Sequence, residues 1–326
     1  MMRKYLLAVT TLLAMLIIGC DKSDSSAPAK PATSPLQAIT FTLNWVPEPE
    51  FGGIYAAQLS GSFTRHGIDA KIVPGGAGAP TWQLVATGQA DFAVASADEV
   101  IIARSRGADV VAIFATYQTC PQGIMVHASR GLKTLADVFK SGTVAVEPGL
   151  PYVKFMEKKY GFGSVKVVAY SGGIAEFLAG KDYAQQCFIT SEPLTAKAQG
   201  SDPQTFLVAD SGYNPYTAVI ITRGSYLKDH PGTVKSVRSA LLEGWQSYLA
   251  DPKPANDAMA KLNKGMDAAT FAQTAEAQRA LIIPDAAHPE LLGTMTLDRW
   301  KTLVEQLLTL KVIEKDVPPE QCFAGW

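Results

Sequence analysis

The chain has 326 residues, 47% hydrophobic and 18% charged, enough to bury a large core in one or two domains. Its formal net charge is −1 and it contains no basic block, which excludes a nucleic-acid footprint and any strong electrostatic recruitment. No CxxC or HExxH spacing occurs and the four histidines (His66, His127, His230 and His288) are scattered, so neither a metal nor a cofactor is expected.

In chain order, Arg3 and Lys4 precede an apolar run from Tyr5 to Ile18, the length of a signal peptide and short for a spanning helix. The run ends Ile17-Ile18-Gly19-Cys20, which resembles a bacterial lipobox with Cys20 as the lipidated residue. Asp21 after it resembles the signal that retains lipoproteins on the inner membrane of Gram-negative bacteria. Ser, Pro, Ala and charge then dominate DKSDSSAPAKPATSPLQ, a composition that cannot bury a core. The expected layout is a signal peptide over 1–19, a tether over 20–37, and a globular remainder held at a membrane outside the cytoplasm. Cys120, Cys187 and Cys322 allow one disulfide and a free thiol, or three buried thiols.

The first strand is expected over 39–44. It runs into TLNWVPEPEFGG (42–53), where Pro47 and Pro49 withhold backbone donors and Gly52 and Gly53 permit a tight turn. This loop carries Asn44, Trp45, Glu48, Glu50 and Phe51 at the C-terminal end of a strand, the edge where open α/β sheets bind ligands. It is equally compatible with a plain strand-to-helix turn whose Trp45 is core. A helix over 54–66 stops at Gly67, and a strand follows over 68–73. The loop Pro74-Gly75-Gly76-Ala77-Gly78 matches no phosphate-binding pattern. Next come a helix over 81–87 carrying Trp82, a buried strand over 92–95, and a helix over 97–104. Ser96, Asp98 and Glu99 open that helix as ligand contacts or as caps. A buried strand over 110–116 ends at Tyr117.

The pattern then restarts. Strands are expected over 123–127, 143–146, 165–169, 187–190 and 205–209, with helices over 132–139 and 152–160, another ending at Gly180, and one starting at Glu192. Glu99 precedes Gly107 by eight residues and Glu192 precedes Gly200 by eight, each glutamate opening a helix after a buried strand. This echo points to two similar α/β lobes. A last strand over 217–222 leads into helices from Pro231 and over 255–263, 268–282 and 297–309, with an irregular tail.

LNWVPEPEFGGIYAAQLSGSFTRHGIDAKIVPGG resembles the N-terminal signature of the SsuA/THI5-like (NMT1) family of periplasmic substrate-binding proteins, LNW-x-P-N-x-x-H-x-G-x-Y-x-A followed by G-x-F-x-x-x-G-L-x-V. GQADFAVASADE and Ser191-Glu192-Pro193 extend the resemblance, which covers about 38–250. It implies the type II periplasmic-binding-protein fold: lobe one over 38–117 and 218–326, lobe two over 118–217, and crossings near 117–120 and at 214–217, with Asn214 beside the cleft. The implied role is the binding component of an ABC importer, a monomer that delivers a small planar heterocycle to a permease and ATPase. The opening is most similar to that of binders of thiamine pyrimidine precursors. Phe51 stands where those binders have His, and Glu48 where they have Asn.

On this resemblance, Trp45, Phe51, Trp82, Tyr117 or Tyr152 would sandwich the ring. Asn44, Ser96, Gln122, Gln185, Gln186 and Glu192 would fix its polar atoms. Glu48, Glu50, Glu99, Glu147 and Glu192 offer acceptors only, which favours ligands rich in donors over sulfonate or nitrate. Other implied roles are binding of a riboflavin-like heterocycle, sulfonate or nitrate, and sensing or scaffolding without transport. Eukaryotic relatives that synthesise the pyrimidine carry a CCCFC segment; Gln185-Gln186-Cys187-Phe188 stands in the comparable place, so an enzyme is not expected.

Overall fold

The structure, a computed structural model, describes residues 35–326. The expected signal peptide, Cys20 and nearly all of the tether lie outside the described residues. Ten strands follow in chain order within them: β1 (Gln37–Thr42), β2 (Ile68–Val73), β3 (Phe92–Ala95), β4 (Val110–Tyr117), β5 (Gln122–His127), β6 (Thr143–Val146), β7 (Lys166–Ala169), β8 (Tyr183–Phe188), β9 (Pro203–Leu207) and β10 (Thr217–Arg223). They form two five-stranded sheets, ordered β2-β1-β3-β10-β4 and β7-β6-β8-β5-β9.

The two orders are the same pattern. In each sheet four strands run in one direction, and one antiparallel strand that has crossed from the other half lies among them. β3 and β8 occupy equivalent places, each followed by a helix, Ala97–Ser105 and Glu192–Ala198. The sequence echo between Glu99 and Glu192 is therefore a structural equivalence. The chain passes between the sheets twice, after β4 and before β10.

Period-two alternation separates the two faces of the first sheet. Phe41, Phe92, Val94 and Ile220 pack under the helices Gly52–Leu59 and Pro231–Ala250. Ala93, Ala95, Val219 and Ile221 face the opposite core. With both faces covered, β3 is apolar throughout, as a central strand must be. Residues past the last long helix reach the sheet's edge: Cys322 O accepts from Ala112 N, and Ala324 N donates to Ala112 O.

Several expectations are corrected. The helix expected over 54–66 is two helices, Gly52–Leu59 and Ser62–Arg65, because Gly61 adopts φ 73° between them. Gly52 and Gly53 belong to the helix rather than to a turn; a Cβ on Gly53 would lie 2.3 Å from the Trp245 ring, and a Cβ on Gly244 would lie 2.2 Å from Gly53 O. The helix expected over 132–139 shrinks to Leu135–Val138, capped by Thr134 and Asp137. The one expected over 268–282 divides into Ala268–Ala277 and Arg279–Ile282. The strand expected over 187–190 is β8, which ends at Phe188. Cys120, Cys187 and Cys322 are three buried, unpaired thiols.

Candidate ligand-binding cleft

A cavity of about 200 Å³ lies where the two sheets face each other. The parallel strands β1, β3, β6 and β8 point their C-terminal ends at it, and β5 and β10, running the other way, present their first residues, Gln122 and Thr217. Eleven of the sixteen candidate residues line it. The β1 loop brings Asn44, Trp45, Glu48 and Glu50; the β3 end brings Ser96 and Glu99. The second sheet contributes Gln122, Glu147, Tyr152, Gln186 and Glu192.

Five candidates sit elsewhere, each for a physical reason. Residues 49–51 form a turn of 3-10 helix that carries Glu50 to the cavity and drives Phe51 into the core under the first sheet. Trp82 packs its partly buried ring on the opposite core from the helix Thr81–Ala86. Tyr117 is fully buried and donates from its hydroxyl to Gln278 Oε1 at 2.6 Å, backing Phe188 edge-on instead of lining the cavity. Gln185 points away from its neighbour Gln186 by strand alternation and donates to Gly173 O. Asn214 belongs to the second crossing, where its Oδ1 accepts from Cys120 N at 2.8 Å and from Arg299 at 3.0 Å.

Asp98, read as a contact or a cap, lines the cleft too, and the sequence reading missed further lining, notably Tyr170, Phe188, Ser191 and Tyr213. Phe188 ends β8 and Tyr170 directly follows β7, strands whose tips point at the cavity. Tyr213 carried no motif, and only its place just before the crossing marks it.

Hydrogen bonds tie the two halves together across the cavity. Ser191 Oγ donates to Glu48 Oε2 at 2.8 Å, and Tyr213 OH to Asp98 Oδ2 at 2.8 Å. Trp45 reaches over the gap, its Cη2 4.0 Å from where a Cβ on Gly172 would stand. Gln186 Oε1 accepts from Glu147 N and Tyr152 OH, which turns its amide nitrogen away from both. Glu99 Oε2 accepts from Ser96 N and so completes the helix cap while lining the cavity.

Six carboxyl groups line this space: Glu48, Glu50, Asp98, Glu99, Glu147 and Glu192. No Lys or Arg joins them among the described residues. Burial, reinforced by Asp98, raises Glu99 to about 7. Burial, reinforced by Glu48, raises Glu192 to about 7 even though Phe188 N donates to it at 2.8 Å. Burial pushes Glu50 well up, and Glu48 and Glu192 push it further. Ring faces and acceptors together suit a small flat molecule bearing N–H or O–H donors.

A profile described as NMT1/THI5 like matches residues 48–255. The formylaminopyrimidine-binding protein of Halalkalibacterium halodurans is 22% identical over 97% of this chain and 97% of its own. The riboflavin-binding protein RibY of Chloroflexus aurantiacus is 24% identical, covering 79% of this chain and 78% of its own. The 4-amino-5-hydroxymethyl-2-methylpyrimidine phosphate synthase THI5 of Saccharomyces cerevisiae is 23% identical over 66% of this chain and 68% of its own. Among solved structures, the periplasmic aliphatic sulphonate binding protein SsuA of Escherichia coli superposes with a TM-score of 0.68 at 17% identity, covering 88% of this chain and 92% of that one. The fold is thus that of the periplasmic binding proteins. By the extent of the profile match, the chain belongs to the NMT1/THI5-like family.

Proposed function

We propose that the protein is the substrate-binding component of an ABC importer and captures a small planar heterocycle between its two lobes. The observation that carries this reading is the cavity itself, set where two similar sheets meet and lined by Trp45, Tyr152, Tyr170 and Phe188 beside carboxyl acceptors. Each stacked ring adds about 0.5–1.5 kcal/mol beyond its buried area. The segments 38–117 with 218–326, and 118–217, act as the two closing bodies, and closure creates the face a permease reads. Pyrimidine precursors of thiamine are the favoured ligands, in keeping with the formylaminopyrimidine binder's likeness along nearly the whole chain. The role is binding rather than catalysis: Cys187 and Cys120 line the cavity as buried thiols whose ionisation burial opposes, with Cys120 raised to about 11. On the sequence alone, residues 1–19 are a signal peptide and Cys20 a lipid anchor, which places the monomer on the outer face of the inner membrane. A thermal-shift screen of aminopyrimidines, riboflavin and alkanesulfonates tests the reading. The expected result is a rise in melting temperature with an aminopyrimidine, about 2.7 kcal/mol of added stability at a hundredfold excess over Kd. A rise with alkanesulfonate alone would overturn it.

A further inference from the structure

Glu50 is the least explained side chain in the cleft. It is nine-tenths buried, with 9% of its surface exposed, it lines the cavity, and its carboxyl group has no hydrogen-bond partner among the described residues. Four of the other five acids have donors of their own, and Glu147, only half-buried, has none on its carboxyl group among the described residues. Glu48 accepts from Ser191, Glu192 from Phe188 N and Tyr170, Glu99 from Ser96 N, and Asp98 from Tyr213. Asn44 Oδ1, in the same wall, is also buried without a partner. An unpaired buried acceptor is costly, and an unpaired buried charge more so.

The groups around Glu50 supply no counter-charge. Glu48 and Glu192 face it as like charges, and Tyr117 and Tyr170 are the hydroxyl-bearing rings near this acidic group. Asp98, Glu99 and Glu147 also line the cavity, again without a base. Arg299, near the crossings, spends its donors on Gln118 O and on Asn214.

We propose that the ligand of this cleft is a planar organic cation whose amidinium-like or protonated amino edge docks against Glu50, flanked by Glu48 and Glu192, with its ring over Trp45. The proposal rests on reading the cavity as a small-molecule site and names the charge class that site selects. A cation over an aromatic face gains attraction there as well, and an anion meets six carboxyls with no base to offset them. Burial, reinforced by Glu48 and Glu192, favours the protonated form of Glu50, so docking a cation there draws protons off. Affinity for the cation therefore rises with pH.

Three probes of one shape separate charge from shape: benzamidinium, benzamide and benzoate, titrated calorimetrically into the full-length protein. Benzamidinium is expected to bind at least about tenfold more tightly than benzamide, and benzoate not at all. Its heat should differ between phosphate and Tris buffers through the released proton. Glu50→Gln should erase the preference, with an unaltered circular dichroism spectrum showing the variant to be folded. Equal binding of benzamide and benzamidinium, while aminopyrimidines still bind, overturns the charge assignment and leaves the heterocycle reading standing. Failure of all three probes and of every aminopyrimidine overturns both.

Discussion

Glu50 and Phe51 are adjacent and both buried, yet one faces a cavity and the other a core, because a single 3-10 turn separates their directions. The prolines and glycines of that loop mark a break in the strand, but composition does not encode the phase of a three-residue turn, so Phe51 could not be sorted from its neighbour by eye. Asn44, Trp45 and Glu48 were readable because a strand's C-terminal end is a positional rule. The acids also set a pH signature. Glu99 and Glu192 sit at about 7 in the folded protein against an ordinary 4.5. Below about pH 4.5 the folded and unfolded chains both hold these protons. Between 4.5 and 7 the unfolded chain loses them first, so their contribution to stability falls as pH rises. Ligand-free protein is expected to melt at a higher temperature at pH 5 than at pH 7.5. In Glu192→Gln this difference should shrink, as scanning calorimetry at the two pH values would read; an unchanged difference would remove Glu192 as its source.

At the scale of elements, the site depends on how helix Gly52–Leu59 seats the β1 loop. This helix lies against Pro231–Ala250 through Gly53 and Gly244, where no side chain fits: a Cβ on Gly244 would stand 2.2 Å from Gly53 O. Gly53→Ala should cost about 1–3 kcal/mol in a urea unfolding titration, since the Trp245 ring beneath it is fully buried and has little room to move. Loss of less than half a kcal/mol would mean the helices separate freely. The fully buried strand β3 and the helix Leu297–Thr309 were legible from pattern alone, both with the expected limits. β8 was harder to place. Its Gln185 and Gln186 fall outside the strand expected over 187–190, yet alternation buries one against Gly173 and turns the other to the cavity. Short polar strands over a ligand cleft lack the hydrophobic period that identifies core strands.

The described residues form two copies of one sheet order joined by two crossings, and Arg299 fastens both. Its guanidinium donates to Gln118 O in the first crossing and to Asn214 O in the second, while stacking 3.8 Å from the Tyr216 ring centroid. Arg299→Ala leaves these carbonyls without that donor and should destabilise the protein by about 1–3 kcal/mol, and Arg299→Lys should fail to restore it because an ammonium cannot span the same fork. Equilibrium unfolding of both variants checks this; full recovery in the Lys variant would show that charge alone suffices. The duplicated order was visible as the glutamate echo, whereas the hinge clamp was not, since Arg299 lies 85 residues beyond Asn214 on a helix that reads as ordinary core packing. The central claim, that the space between these halves takes a small flat ring, is tested most directly by calorimetric titration of an aminopyrimidine into the wild-type protein and into Trp45→Ala. One saturable site, weakened about tenfold in the variant, is the expected result. No binding by the wild type, or equal binding by the two proteins, would contradict it.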